Sequence, residues 1–242
     1  MEKEKVRVMT INVYWSCIEK EWMRAPSPEP ISYSFYKGPL FDKNDYGLDM
    51  KTCPAFGMHM NNVFALRSMY SYEFSLKEGE VSSSDYDQEF FNRHVVIKSM
   101  QKRLFSFTQG YTFFTDSPSL EVTVSEHPYL EDNEVTKRCL ILPGKLDIGK
   151  WYRNIDTMFY LKNDYNSFKI SEGDVYGYLR FHTDEQINFI QYRQTDLMNR
   201  YMFDSINSKI NKKKPYSLEK YNNMFKSKKL ILKEIQANIL DN

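Results

Sequence analysis

Between Cys139 and Phe189, hydrophobic and polar residues alternate in short bursts that are punctuated by turn formers, the period of two expected of strands. Cys139 to Leu142 is an apolar run that stops at Pro143-Gly144. From Ile155 to Leu161, Ile155, Thr157, Phe159 and Leu161 share one face, while Asp156, Met158 and Tyr160 share the other. That second face is half apolar, which predicts a strand covered on both sides. Lys162-Asn163-Asp164 has turn chemistry, because short polar Asn and Asp tolerate left-handed backbone. Phe168 and Ile170 alternate with polar neighbours up to Glu172-Gly173-Asp174, a second turn. Val175 to Phe181 then carries the aromatic and branched residues that strands favour, and Thr183-Asp184-Glu185 ends it. The pattern predicts strand, turn, strand, turn, strand.

The same pattern runs more weakly elsewhere. Val6, Val8 and Thr10, then Ile11, Val13 and Trp15, predict an opening strand with a bulge between the two sets. Three prolines, Pro26, Pro28 and Pro30, remove backbone donors and hold residues 26–30 extended, as a surface arm or an edge crossing. Residues 31–36 alternate again. Residues 40–62 read as irregular, with Cys53-Pro54 and Asn61-Asn62 as turn marks; a loop of that length is often functional. Val63 to Leu66 and Tyr72 to Leu76 predict two strands joined around residues 68–71. Residues 85–92 read as a short helical turn or a loop, and Val95 to Ile97 begins a strand. Leu104, Phe105 and Phe107 face Tyr111, Phe113 and Phe114 across Thr108-Gln109-Gly110, which predicts a hairpin. Leu120 to Val124 alternates, and Gln186 to about Gln191 extends the last strand.

The period then changes to that of a helix. Leu197, Met198, Tyr201, Met202, Ile206 and Ile210 predict a helix over 195–210. Asn211-Lys212-Lys213-Lys214-Pro215 breaks it. Ser217 is a fair N-cap for a last helix, whose apolar stripe is Leu218, Tyr221, Phe225, Leu232, Ile235 and Ile239, interrupted by Lys228. The expected organisation is a mainly β body over 1–195, β-clip-like or jelly-roll-like, followed by a helical, lysine-rich extension over 196–242.

Composition adds a few constraints. A chain of 242 residues with 41% hydrophobic and 16% aromatic content has enough apolar surface for a large core. Eighteen Tyr and 17 Phe favour β surfaces and protein interfaces over a Leu/Ala bundle. The net charge of +1 carries no nucleic-acid or membrane signature. From Arg200 onward there are ten Lys and Arg against four Asp and Glu, so a mildly acidic body carries a basic tail. Cys17, Cys53 and Cys139 are odd in number and widely spaced, the pattern of reduced core thiols in a cytosolic product. The first ten residues lack the apolar core of a signal peptide, and no apolar run reaches membrane-spanning length.

Few residues stand in a pattern that carries chemistry. The chain has no GxSxG, no GxxxxGK[ST] and no GxGxxG. His59, His94, His127 and His182 occur singly, the pattern of solvated or core histidines, and no metal or other cofactor is expected. Asp184-Glu185 and Glu131-Asp132 fall in turns, where solvation accounts for them. Tyr176, Tyr178 and Phe181 beside Arg180 have the makings of a base-stacking strand, although aromatic strand residues usually serve a core or an interface. Lys212, Lys213 and Lys214 read as a solvated hinge, with contact to nucleic acid or an acidic partner as the alternative.

In order, Pro143-Gly144, Leu146-Asp147, Ile155, Leu161, Asn163, Phe168, Ile170, Gly173-Asp174 and Leu179 resemble the later motifs of the trimeric dUTP pyrophosphatase and dCTP deaminase family. The resemblance covers residues 143–181 and implies the β-clip fold of that family. It does not extend to the activity. With Ile155 and the Gly-Asp turn aligned, Asp147 falls one residue out of register with the catalytic aspartate. Arg153 replaces a glycine, Val175 and Tyr178 stand where arginine and glutamine are expected, and the phosphate-binding motifs are missing. What the resemblance leaves is an expectation of ligand or nucleotide binding near Asp147, Trp151, Arg153 and Tyr178. The Lys-, Asn- and Tyr-rich composition also resembles proteins of tailed bacteriophages. Together these features lead to the expectation of a non-enzymatic contact protein, a virion or assembly component located in the virion or the host cytoplasm. Such a protein would be a homo-oligomer or part of a larger assembly. Its partner-binding residues would be Leu218, Tyr221, Phe225, Leu232 and Ile235, because an amphipathic helix buries its stripe on its own domain or on a neighbour.

Overall fold

A computed structural model describes residues 9–17, 27–30, 53–76, 89, 95–99, 103–107, 110–125, 134–210 and 218–240, with the backbone alone described at 29–30 and 97 and over 204–210 and 218–226. In chain order the strands and helices begin with β1 (Thr10–Cys17), β2 (Glu29–Pro30), α1 (Pro54–His59), β3 (Val63–Arg67) and β4 (Tyr72–Ser75). They continue with β5 (Val95–Ser99), β6 (Leu104–Phe107), β7 (Tyr111–Thr115), β8 (Glu121–Ser125), α2 (Glu134–Arg138), β9 (Cys139–Leu142) and β10 (Gly144–Asp147). The last are β11 (Thr157–Leu161), β12 (Ser167–Ile170), β13 (Val175–Phe181), β14 (Gln186–Gln191), α3 (Asp196–Ile210) and α4 (Leu218–Gln236). The chain is mainly β with a helical C-terminal part, and no closed barrel forms among the described residues.

The strands are distributed over four sheets: β14-β1-β7, β10-β8-β13-β3-β2, β5-β6-β11-β9 and the pair β12-β4. Period-two alternation explains how one core joins them. Thr157, Phe159 and Leu161 of β11 point inward with Phe105 and Phe107 of β6 and Phe168 of β12. Stacked rings tie these sheets together: Phe74 lies on Phe168 with centroids 4.4 Å apart, and Phe105 stacks on both Phe168 and Phe159. Val122 and Val124 of β8 and Leu179 and Phe181 of β13 close the same core.

The three-stranded sheet is a wall between two cores. Val13, Trp15 and Phe113 face the main core, whereas Tyr14 and Phe114 face a second one with Tyr152, Tyr192, Met198, Met202, Ile231 and Ile235. With apolar layers on both sides, the inner residues Val13 to Cys17 are all buried. Helices α3 and α4 form the far side of the second core. Thr195 caps α3 through the Met198 N–H and donates its own hydroxyl to Glu234 of α4, so the two helices are linked at that end.

Several expectations change on contact with the fold. The predicted hairpin across residues 108–110 does not form: β6 pairs with β5 and β11, whereas β7 pairs with β1. The apolar residues before and after this segment serve different sheets, and Gly110 has the left-handed φ of 73° that glycine adopts without strain. Strands β3 and β4 likewise belong to different sheets. Cys53-Pro54 opens a helix instead of an irregular loop, because proline at the first helical position gives up only an N–H that would lack an intrahelical partner. Cys53 is exposed there, unlike Cys17 and Cys139. Glu29 and Pro30 take the edge position of the five-stranded sheet against Phe64 and Ala65, where a missing donor costs little. The expectations for residues 1–8, 31–36, 40–52 and most of 85–92 lie outside the described residues, as do His94, His127 and Lys212 to Lys214.

Candidate interaction surface

Asp147 ends β10 and turns the chain into Gly149, Lys150 and Trp151. Its Oδ1 accepts the backbone N–H of Leu120 at 3.1 Å and of Gly149 at 2.9 Å. Its Oδ2 accepts the Ser119 hydroxyl at 2.6 Å and Lys150 Nζ at 2.7 Å. Burial pushes the carboxyl pKa up, but Lys150, Ser119 and the two N–H groups outweigh it and leave the pKa below its ordinary value. Gly149 is held against the same loop: a Cβ there would stand 2.8 Å from the Ser117 carbonyl oxygen and from Ser119 Cα. These bonds occupy both carboxylate oxygens in joining two loops, a structural use of the residue.

The other predicted ligand residues do not converge on it. Arg153 packs over the Trp151 ring, 4.7 Å from its centroid, and pairs with Asp156 at 3.3 Å. Tyr178 lies on β13 opposite Ser125, whereas Asp147 lies on β10 opposite Glu121, on the other side of β8. Four residues along a strand is about 13 Å, and Tyr178 is buried with Val63 and Ala65 in a small third cluster. Three of the four residues are therefore neighbours in the chain and in space, and the fourth is elsewhere.

Of the predicted partner-binding stripe, Leu218, Tyr221 and Phe225 lie on the described backbone of α4. Leu232 packs partly buried against the second core, and Ile235 is fully buried within it. This end of the helix therefore uses its stripe on its own chain, the first of the two options for such a helix. Lys228, which breaks the stripe in the sequence, is 8% exposed. Its Nζ donates to the carbonyls of Ser117 and Gly149 and lies 5.8 Å from the Phe114 ring centroid. Desolvation lowers its pKa, partly opposed by Asp116 and Asp147. An alkyl stem against apolar neighbours and a hydrogen-bonded ammonium tip allow lysine to occupy a stripe position.

One surface escaped the sequence reading. Across the four-stranded sheet, Leu142 is opposite Met158, Met158 opposite Ser106, and Ser106 opposite Val96. The next row is Leu140, Tyr160 and Leu104. Directly paired residues share a face, and this is the face turned away from the main core. Val96, Leu140 and Leu142, at the two edges, are 44%, 41% and 39% exposed, whereas Leu104, Met158 and Tyr160 between them are half-buried and Ser106 is buried. The face of β11 expected to be covered thus remains partly open. The signal was present: the unbroken apolar run at β9 and the half-apolar second face of β11 are what a sheet with an apolar outer face requires. What the sequence could not supply was the pairing that puts Leu140 and Leu142 beside Met158 and Tyr160.

Among the described residues no group of three or more His, Cys, Asp or Glu is placed to hold a metal ion, and no helix is long and apolar enough to cross a membrane. No protein-family model matches the sequence, and comparison with curated proteins finds no match.

Proposed function

We propose that this protein acts through contacts with other protein chains and not through chemistry of its own, as a structural or assembly component of bacteriophage type in the virion or host cytoplasm. The observation that carries this reading is the apolar outer face of the four-stranded sheet, with leucine, methionine, tyrosine and valine side chains spread across four strands. Val96 on one edge strand and Leu140 and Leu142 on the other are exposed, and apolar side chains left open on a folded chain are where a partner chain can dock. The polar clusters around Asp147 and Lys228 support the same reading, because their hydrogen bonds join loops and helix to one another. The competing reading is a nucleotide-binding or sequestering protein on a scaffold like that of the dUTP pyrophosphatases. It requires Tyr178 to join Asp147, Trp151 and Arg153, and the strand register keeps Tyr178 apart from Asp147.

Native mass spectrometry of the untagged protein from the cells that make it tests the two against each other. The expected result is a species whose added mass is that of protein, from a second copy or another chain. A reproducible added mass of nucleotide size would overturn the contact reading.

A further inference from the structure

We propose that the outer face of the five-stranded sheet carries a binding site for a tetrahedral oxyanion of the phosphate class, built over Thr123 by Arg180, His182 and Lys145. The site lies apart from the apolar edges that carry the contact reading and does not depend on that reading.

Strand register brings these residues together. Val122 and Val124 of β8 and Leu179 and Phe181 of β13 point into the main core. Thr123 and Arg180 alternate with them and so face outward. Lys145 is opposite Thr123, and Thr123 is opposite Arg180, so lysine, threonine and arginine stand in one row. Neighbouring strands are about 4.8 Å apart, which leaves the two long cationic side chains roughly 10 Å from each other at the backbone. Both can lean over the short threonine between them. His182 closes one end: its backbone N–H donates to the Glu121 carbonyl, and its ring lies 2.6 Å from the Thr123 hydroxyl. His59, at the end of α1, reaches Arg180 from another side.

Donors remain for a ligand. Arg180 forms no ion pair among the described residues; its guanidinium meets His59 Nδ1 at 3.4 Å, a weak contact for a group with five N–H donors. Lys145 pairs with Glu121 at 2.6 Å, but both side chains are about half exposed, and surface pairs of that kind contribute little. His182 Nε2 and Thr123 Oγ1 share one hydrogen. If the ring donates it, the threonine O–H is left over; if the hydroxyl donates it, the ring Nδ1–H is left over. The local field has the right sign as well. Burial, and after it Lys145 and Arg180, lower the His182 pKa, and each cation acts on the ring more strongly than Glu121 does.

The arrangement also selects the anion. A planar fork, an ammonium and a neutral donor approach from three strands, which suits an anion with three or four oxygens. A carboxylate would be satisfied by the arginine fork alone. Nucleic acid takes many cations along its backbone, whereas these are confined to one row of a chain whose net charge is +1. A single phosphate group is the ligand that fits.

Histidine-ring NMR of the full-length chain, titrated with inorganic phosphate at neutral pH and constant ionic strength, tests this. The expected result is a saturable shift, at millimolar phosphate, of the ring signals that His182→Gln removes. Arg180→Gln should raise the dissociation constant about tenfold or more, the loss expected for a hydrogen bond to a charged group. Arg180→Lys should recover only part of it, because the fork is gone. Lys145→Gln, at an exposed position, should weaken binding too, and Lys169→Gln, on β12, should not. Unchanged melting temperatures would show that the variants fold. A phosphate monoester that binds as tightly as inorganic phosphate would mean that one oxygen faces solvent and the ligand is an ester; weaker binding of the ester would identify the free ion. Absence of a saturable shift in the millimolar range overturns the site, as does binding that Arg180→Gln and Lys145→Gln leave intact. Tighter binding of acetate than of phosphate overturns the tetrahedral assignment. A single-stranded oligonucleotide that binds far more tightly than either, with steep salt dependence, overturns the single-group site.

Discussion

Asp147 shows how one carboxylate holds two loops together. Two N–H groups, a hydroxyl and an ammonium converge on a side chain that is 14% exposed. Asp147→Asn keeps the shape but loses the ion pair and turns an amide donor toward Lys150 and Ser119. The expected cost is about 1.5–3 kcal/mol, the range for a hydrogen bond to a charged group, measured by urea unfolding near neutral pH. The pH dependence has a definite sign. The folded carboxyl pKa lies below the ordinary 3.8, so the folded state binds its proton less readily than the unfolded chain. The stabilisation is complete above that value and is lost as pH falls through the lower folded pKa. Below it the wild type and Asp147→Asn should converge in stability. Equal acid sensitivity in the two proteins would remove Asp147 from this role. A parallel test of the joint is Gly149→Ala, which forces Ser117 or Ser119 backbone to move and should destabilise the fold without altering β10.

At the scale of the element, α4 is attached to the body by an apolar contact and a polar one. Ile235→Ala should cost about 2–4 kcal/mol, as expected for emptying a fully buried site. Lys228→Ala should cost about 1–3 kcal/mol, because the Ser117 and Gly149 carbonyls lose a charged donor. Lys228→Met, which restores the stem but not the donor, should recover part of that loss. Full recovery in thermal melts would mean that packing alone holds the helix here. Elements themselves were legible because periodicity depends only on neighbours in the chain. Residues 175–181 show their strand in β-branched and aromatic content, and Thr157, Phe159 and Leu161 announce their buried face. Pairing was not legible, because it depends on partners far away. Phe105 and Phe113 alternate alike on either side of Thr108-Gln109-Gly110, yet one lies in the four-stranded sheet and the other in the wall between the cores. The outer apolar face was hidden for the same reason, since it exists only once β9, β11, β6 and β5 stand side by side.

For the whole molecule, the main core takes in two of the three thiols and leaves the third outside. Cys17 and Cys139 are buried, and burial raises both thiol pKa values far above the ordinary range, so neither forms thiolate readily. Cys53 is exposed at the start of α1. An aromatic disulfide reagent should therefore titrate one of the three free thiols in the native protein and all three after denaturation. Rapid reaction of two or more in the native state would show that the main core, which holds both Cys17 and Cys139, opens readily. The reading of a reduced, unpaired set of cysteines came directly from their number and spacing. Which of them faced solvent did not, because Cys53 sits beside a proline that reads equally well as a turn or a helix start.

The wall between the cores also has a consequence in time. β1 pairs in parallel with β14, Thr10 opposite Gln186, so roughly three quarters of the chain intervenes between partners. Closing so long a loop delays a contact until its entropy cost is offset by structure already formed. β6, β9 and β11 join over much shorter separations, Phe159 to Ile141 for instance. Refolding should therefore begin in the four-stranded sheet, with the three-stranded wall consolidating last and the second core forming only against that wall. Pulsed hydrogen exchange during refolding would show amides of β11 protected before those of β1, and simultaneous protection would mean that the chain folds as one cooperative unit.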